Sequence, residues 1–125
     1  MADDGARRRL TRLLAALGVA YGIALLARPR EIVGAVAPAF PTERVWLVRV
    51  LGARLVAQHG AVLAVPNRTL IRLSSAVDAL HAASMLPFVA SPRDGGAARV
   101  SGGIAAAYTA AYAAIAAAAG RSERR

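Results

Sequence analysis

VWLVRVLGARLVAQHGAVLAVPNRTLIRLSSAVDALHAASM, residues 45–85, holds two apolar segments of helix length on either side of Pro66-Asn67-Arg68. Arg49, Arg54, Gln58, His59, Asp78 and His81 lie among its aliphatic residues. With Asn67 at the turn of an antiparallel pair, residue k of the first segment lies level with roughly residue 134 − k of the second. Arg54 then faces position 80. Asp78 and His81, one helical turn apart, share a face on either side of that level. An ion pair between Arg54 and Asp78, with His81 beside it, is therefore expected.

Outward from this stretch, the chain has 125 residues, one domain's worth, with room for a single bundle of helices and not for two cores. Hydrophobic residues make up 57% and the mean hydropathy is +0.45, above the usual soluble range. With no cysteine there is no disulfide, thiolate nucleophile or cysteine metal site. All sixteen basic residues are arginine, and the net charge is +9. Most flank apolar segments (Arg7, Arg8, Arg9 and Arg12; Arg28 and Arg30; Arg68 and Arg72; Arg121, Arg124 and Arg125), where lipid headgroups would lie. No basic patch with interleaved aromatics suits a nucleic acid.

Residues 1–9 read as a polar, frayed end, and an apolar helix follows over about 10–28. Charge-free from Leu13 to Ala27, it approaches the roughly 20 residues a bilayer crossing needs, with Arg12 and Arg28 snorkelling. Asp3, Asp4 and the Leu25-Leu26-Ala27 end fit a cleaved signal peptide poorly. Arg28-Pro29 stops the helix. Ile32, Val33, Val36 and Phe40 then repeat near one side of a short helix, which suits either a segment in the membrane interface or a buried connecting turn. Thr42-Glu43 opens the second helix, about 43–65, with Trp46 at interface depth. Its Ala53, Ala57 and Ala61, beside Gly52 and Gly60, predict close approach by another helix. The third helix covers about 69–90, with Ser74, Ser75, Asp78, His81, Ala82 and Met85 on one face and Pro87 to bend or end it. The Asn67-Arg68-Thr69 sequon falls in a loop expected to be cytoplasmic and is discounted. After the turn cluster Ser91-Pro92-Arg93-Asp94-Gly95-Gly96 comes the fourth helix, about 97–119, alanine-rich, with Ile104, Tyr108, Tyr112 and Ile115 along one side. Gly102-Gly103 lacks the spacing of a phosphate-binding loop and reads as close packing.

An insertion scale makes the second helix marginal alone. Its ten Val and Leu return about 3 to 6 kcal/mol, against about 5 to 7 for Arg49 and Arg54 at full depth. Pairing Arg54 with Asp78 removes much of that cost, so the 45–85 hairpin is the expected inserting unit. Four crossings put both termini on one side, with nine arginines there against five in the other two loops, a bias that places both termini in the cytoplasm. The expected fold is all-α: an up-down-up-down four-helix transmembrane bundle, one membrane domain over 1–125, in the cytoplasmic (inner) membrane. A soluble helical bundle is the competing architecture.

The candidate site is the polar cluster Arg54, Asp78, His81, Arg49, Gln58 and His59, either a register-fixing ion pair or part of a proton or anion path. His59 falls level with position 75, roughly 9 Å in depth from His81, which suits axial haem ligation poorly. No metal site, covalent nucleophile or cofactor is expected, and no enzymatic activity. Arg49-Val50-Leu51-Gly52-Ala53-Arg54 with Gln58, followed by Asp78-Ala79-Leu80-His81, resembles a pattern in small, uncharacterised four-helix membrane proteins of high-GC bacteria. The resemblance covers about a third of the chain and implies topology only. Where those proteins often carry a histidine after the second arginine, this chain has Leu55. The expected function is that of a small structural or accessory subunit. Its partners are the bilayer with its anionic headgroups and a second copy or a larger membrane protein. A small proton or anion carrier or sensor is the alternative.

Overall fold

The computed structural model describes residues 2–125, and among them the regular structure is all helical. Five α-helices follow in order: α1 (Ala2–Ala27), α2 (Pro29–Val36), α3 (Val45–Ala64), α4 (Arg68–Met85) and α5 (Gly95–Ser122). One-turn 3-10 segments at Thr42–Arg44 and Leu86–Phe88 lead into α3 and out of α4. Three stretches are long and apolar enough to cross a membrane: Asp3–Ala27, Thr42–Ala64 and Gly95–Ser122. α4 is shorter, at 18 residues, and carries Arg68, Arg72 and Asp78.

Several boundaries differ from those expected. α1 begins at Ala2, not near Leu10: Asp3 and Asp4 sit in its first turn, where the helix dipole favours acids, and Arg7 pairs with Asp4 and donates to Ser122 Oγ at 2.9 Å. Met1 of the segment expected to fray lies outside the described residues. The connection after Arg28 is itself a helix, α2, with Pro29 in its first turn, where the missing N–H costs nothing. Pro29 and Val33 are buried, and α2 touches α1, α3 and α5 at that end of the molecule. α4 starts where expected, because Asn67 Oδ1 accepts from Leu70 N at 2.8 Å as an N-cap. It stops at Met85, before the predicted 90, since Pro87 cannot continue the ladder. α5 runs past both predicted ends.

Packing partners follow a constant register. Gly18 lies against His59, Gly22 against Leu55 and Val56, and Gly52 against Leu25, so α1 and α3 run antiparallel. A Cβ at Gly52 would stand 2.7 Å from Gly22 O, and one at Gly22 2.8 Å from Gly52 O, so the two backbones touch only because both positions are glycine. α5 lies antiparallel on α4, with Ser75 Oγ donating to Thr109 O at 3.0 Å and Gly102 against Met85. These two pairings are intimate, whereas α3 and α4 meet at few points. The 45–85 hairpin is thus not the closely packed unit; long polar side chains bridge its two arms. The small-residue surface of α3 divides in two. Ala53, Ala57 and Ala61 are exposed, and Gly52, one residue before the stripe, makes the close approach.

The core is built from Ala15, Val62, Ile71, Tyr112, Ile115 and Ala116. Thr11, His59, Ser74, Ser75 and Asp78 are buried with it, while among the described residues fifteen large apolar side chains lie exposed, including Leu13 at 64%, Trp46 at 61% and Leu80 at 73%. Aliphatic residues thus fill the core and also cover much of the outer surface, with five polar side chains buried between them.

Candidate functional site: a polar bridge between two helix pairs

Arg54 and Gln58 are one turn apart on α3, facing α4, and Asp78 sits mid-way along α4. Arg54 Nη1 donates to Gln58 Oε1 at 2.8 Å and lies 3.4 Å from Asp78 Oδ1. Gln58 Nε2 donates to Asp78 Oδ2 at 2.9 Å and to the Ser74 carbonyl at 3.3 Å. Both carboxylate oxygens of Asp78 are therefore engaged, and the side chain is only 1% exposed. The closed triangle spans a gap that the helix backbones leave open. Burying the Asp78 carboxylate is favourable only when it finds partners, and here the Gln58 amide engages the oxygen that the ion pair leaves free.

The remaining residues of the expected cluster are elsewhere. His59 is fully buried on the opposite side of α3, where its Nδ1 is 2.9 Å from Tyr112 Oη. Its ring centroid lies 4.5 Å from that of Tyr108 and 5.7 Å from that of Tyr112. Tyr108 donates to the Leu14 carbonyl at 2.8 Å, so His59 and the two tyrosines tie α3 and α5 to α1. The ring fits because Gly18 offers no side chain there. His81 does not bond to the Arg54–Asp78 pair; its Nε2 is 2.6 Å from Ser101 Oγ on α5. Arg49 is exposed and belongs to no polar network. Sequence reading missed Tyr112 as the partner of His59, Ser101 as the partner of His81, and the Gly18-xxx-Gly22 spacing on α1. Only the last had a signal visible beforehand.

A side cleft of about 470 Å³ opens between α3 and the α4–α5 pair, toward the end that carries the 37–44 and 86–94 connections. Its walls are largely apolar, from Leu47, Leu51, Met85 and Phe88, and Arg54 and His81 border it. At its mouth Arg44 Nη1 lies 3.2 Å from Asp94 Oδ1. Arg54 Nε is buried and makes no hydrogen bond. Among the described residues no three His, Asp or Glu side chains gather as metal ligands. What the bridge can do chemically is hold one positive and one negative charge in a dry interior, with one flank of the arginine open to the cleft. No family model, curated protein or solved structure matches this chain.

Proposed function

We propose that the protein is a multi-pass protein of the cytoplasmic (inner) membrane, an up-down-up-down four-helix transmembrane bundle with both ends in the cytoplasm. It works as a small structural or accessory subunit that packs on itself or on a larger membrane protein. The observation that carries this is the apolar exterior: Leu13, Leu17, Val50, Leu73 and Leu80 face outward, while the polar His59, Ser74 and Asp78 are buried. In water such a surface would be a large contiguous apolar patch; in lipid it is the ordinary exterior. α4 is the fourth crossing. Together with Leu86–Phe88 it approaches the roughly 30 Å of a hydrocarbon core, and its one central charge is paired. α2, with Val36 exposed, lies in the interface opposite the cytoplasm. The Arg49-to-Gln58 and Asp78-to-His81 pattern is proposed to mark relatives of the same topology.

The accessory role is supported by the contacts that close Arg54, Gln58 and Asp78 into one triangle, which fits a lock between helix pairs, and by the outward Ala53–Ala57–Ala61 stripe, a smooth face for another helix. Fractionation at low salt and after alkaline wash tests the location: recovery in the soluble fraction overturns it. Cysteines placed at Ala57 and at Leu13 should give a cross-linked partner from Ala57 alone, and no adduct from either overturns the subunit role.

The alternative, a carrier or sensor for a proton or anion, has one specific observation in its favour: the cleft reaches Arg54 and His81. His81→Gln should leave assembly intact under both proposals. Loss of a pH-dependent flux in that variant would favour the carrier.

A further inference from the structure

The end of the molecule that holds both termini gathers charge unevenly. Arg68 and Arg72, on the first turns of α4, Arg121, in the last turn of α5, and Arg124 and Arg125, just beyond it, converge on one depression of about 520 Å³ floored by Ala117 and Gly120. Among the described residues, Glu123 accepts from Arg68 Nη1 at 2.8 Å, Asp4 shares an adjoining depression with Arg68, and Asp3 shares one with Arg121 and Arg125. Gly120 shapes the floor: its missing side chain leaves the space in which the Arg68 guanidinium lies, and Arg68 Nε is buried there with no hydrogen-bond partner. Five guanidiniums held this close outnumber the three acids around them and repel one another, and an anionic group set among them relieves the repulsion.

What lies below the depression selects the occupant. From Arg72 the outer face of α4 continues through Ala76, Ala79 and Ala83, and from Ala117 that of α5 continues through Ala113, Ala110, Ala106 and Gly103, all exposed. The antiparallel pair therefore presents a shallow, wholly uncharged trough leading from the arginines toward mid-bundle. We infer that this depression binds the phosphate headgroup of an anionic phospholipid, whose acyl chain lies in the α4–α5 trough. The arginines donate to the phosphate oxygens, and the alanines let the chain lie against the helices.

The inference rests on the membrane location proposed above, but the two fail differently: a soluble protein removes the location, whereas a membrane protein indifferent to lipid charge removes the site alone. The test uses the full chain in dodecyl maltoside micelles, titrated with phosphatidylglycerol, with phosphatidylcholine and with inorganic phosphate. Native mass spectrometry counts retained lipid. Phosphatidylglycerol should bind, more weakly as salt rises, and phosphatidylcholine should not compete. At about fivefold per arginine, Arg68→Gln with Arg121→Gln should weaken retention about 30-fold, and Arg124→Gln with Arg125→Gln should do much the same without touching the Arg68–Glu123 pair. Gly120→Ala keeps every charge yet displaces the Arg68 guanidinium, and it too should weaken binding severalfold. Arg8→Gln with Arg9→Gln, at the same end but outside the depression, should change it less than about twofold. Four results would overturn the site: equal losses from the Arg8/Arg9 variant, equal retention of phosphatidylcholine, full displacement of the lipid by inorganic phosphate at equal concentration, or a disulfide-linked dimer through a cysteine at Ala110 that excludes lipid.

Discussion

Separating the Arg54–Asp78 pair one partner at a time, and then together, measures how the two helix pairs are joined. In Asp78→Leu the carboxylate that accepts from Gln58 and meets Arg54 is gone. The stranded guanidinium is 27% exposed and keeps its 2.8 Å bond to Gln58, so the loss falls below the usual range for a broken buried pair, at about 2 kcal/mol. Arg54→Met strands the other charge, on a side chain 1% exposed with Gln58 as its remaining side-chain donor, and should cost about 3 kcal/mol. The double variant strands neither charge. Apolar replacement of a whole buried pair is often near neutral, so about 2 kcal/mol is expected, left from misfit packing around Gln58. The sum of the single costs exceeds the double by about 3 kcal/mol, which is the coupling energy. It is read from unfolding in mixed micelles of rising dodecyl sulfate fraction, followed by circular dichroism. Exchange of the charges, Arg54→Asp with Asp78→Arg, should likewise recover protein that either change alone depletes. Additive costs, with the double variant near 5 kcal/mol, would mean that the two groups do not sense each other and that the bridge is not a lock.

Gly52→Val places side-chain carbon against the Gly22 carbonyl and the Leu25 side chain, and should cost about 1 to 3 kcal/mol by the same unfolding assay; Gly60→Val, where a Cβ would meet nothing within 4 Å, should cost far less. Tyr112→Phe leaves His59 Nδ1 without its partner in a fully buried site and should lower stability by about 1 to 3 kcal/mol with no change in helix content. Asn67→Ala removes the side-chain acceptor of Leu70 N and should cost about 1 kcal/mol, with faster amide exchange confined to the first turn of α4. A spin label at Leu80 should be relaxed by dissolved oxygen and shielded from a water-soluble nickel chelate, and the reverse at Arg93.

The part of the fold that could be read from residues alone was the part marked by breakers and by charge. Pro66 and Asn67 located the turn, and counting outward from it put Arg54 within a turn of Asp78, where the structure has them 3.4 Å apart. The faces of the helices were harder. In water, apolar residues point inward and periodicity reveals the core; a helix apolar all round gives no such contrast. Small residues on two neighbouring stripes predicted close approach by another helix without saying which stripe meets it: Gly52 makes the contact within the chain, while Ala53, Ala57 and Ala61 lie outward. His59 was grouped with Arg54 by closeness in sequence and His81 by the face it shares with Asp78, yet about 100° around α3 from Gln58 sends His59 to Tyr112, and about 60° around α4 from Asp78 sends His81 to Ser101. No pattern within α3 or α4 could reveal partners that α5 supplies. The Gly18–Gly22 spacing was present in the sequence and would have pointed to α1 as the neighbour of α3.

The unequal intimacy of the helix pairs bears on how the chain is assembled as it leaves the ribosome. α1 and α3 meet through bare backbone at Gly22 and Gly52, a contact that needs nothing synthesised later. Arg54 emerges with α3, but its counter-charge is encoded 24 residues further on, in α4. For that interval the nascent protein holds a docked pair with an unanswered cation facing the next helix to arrive, so arrival of α4 both neutralises the charge and sets its depth against its predecessor.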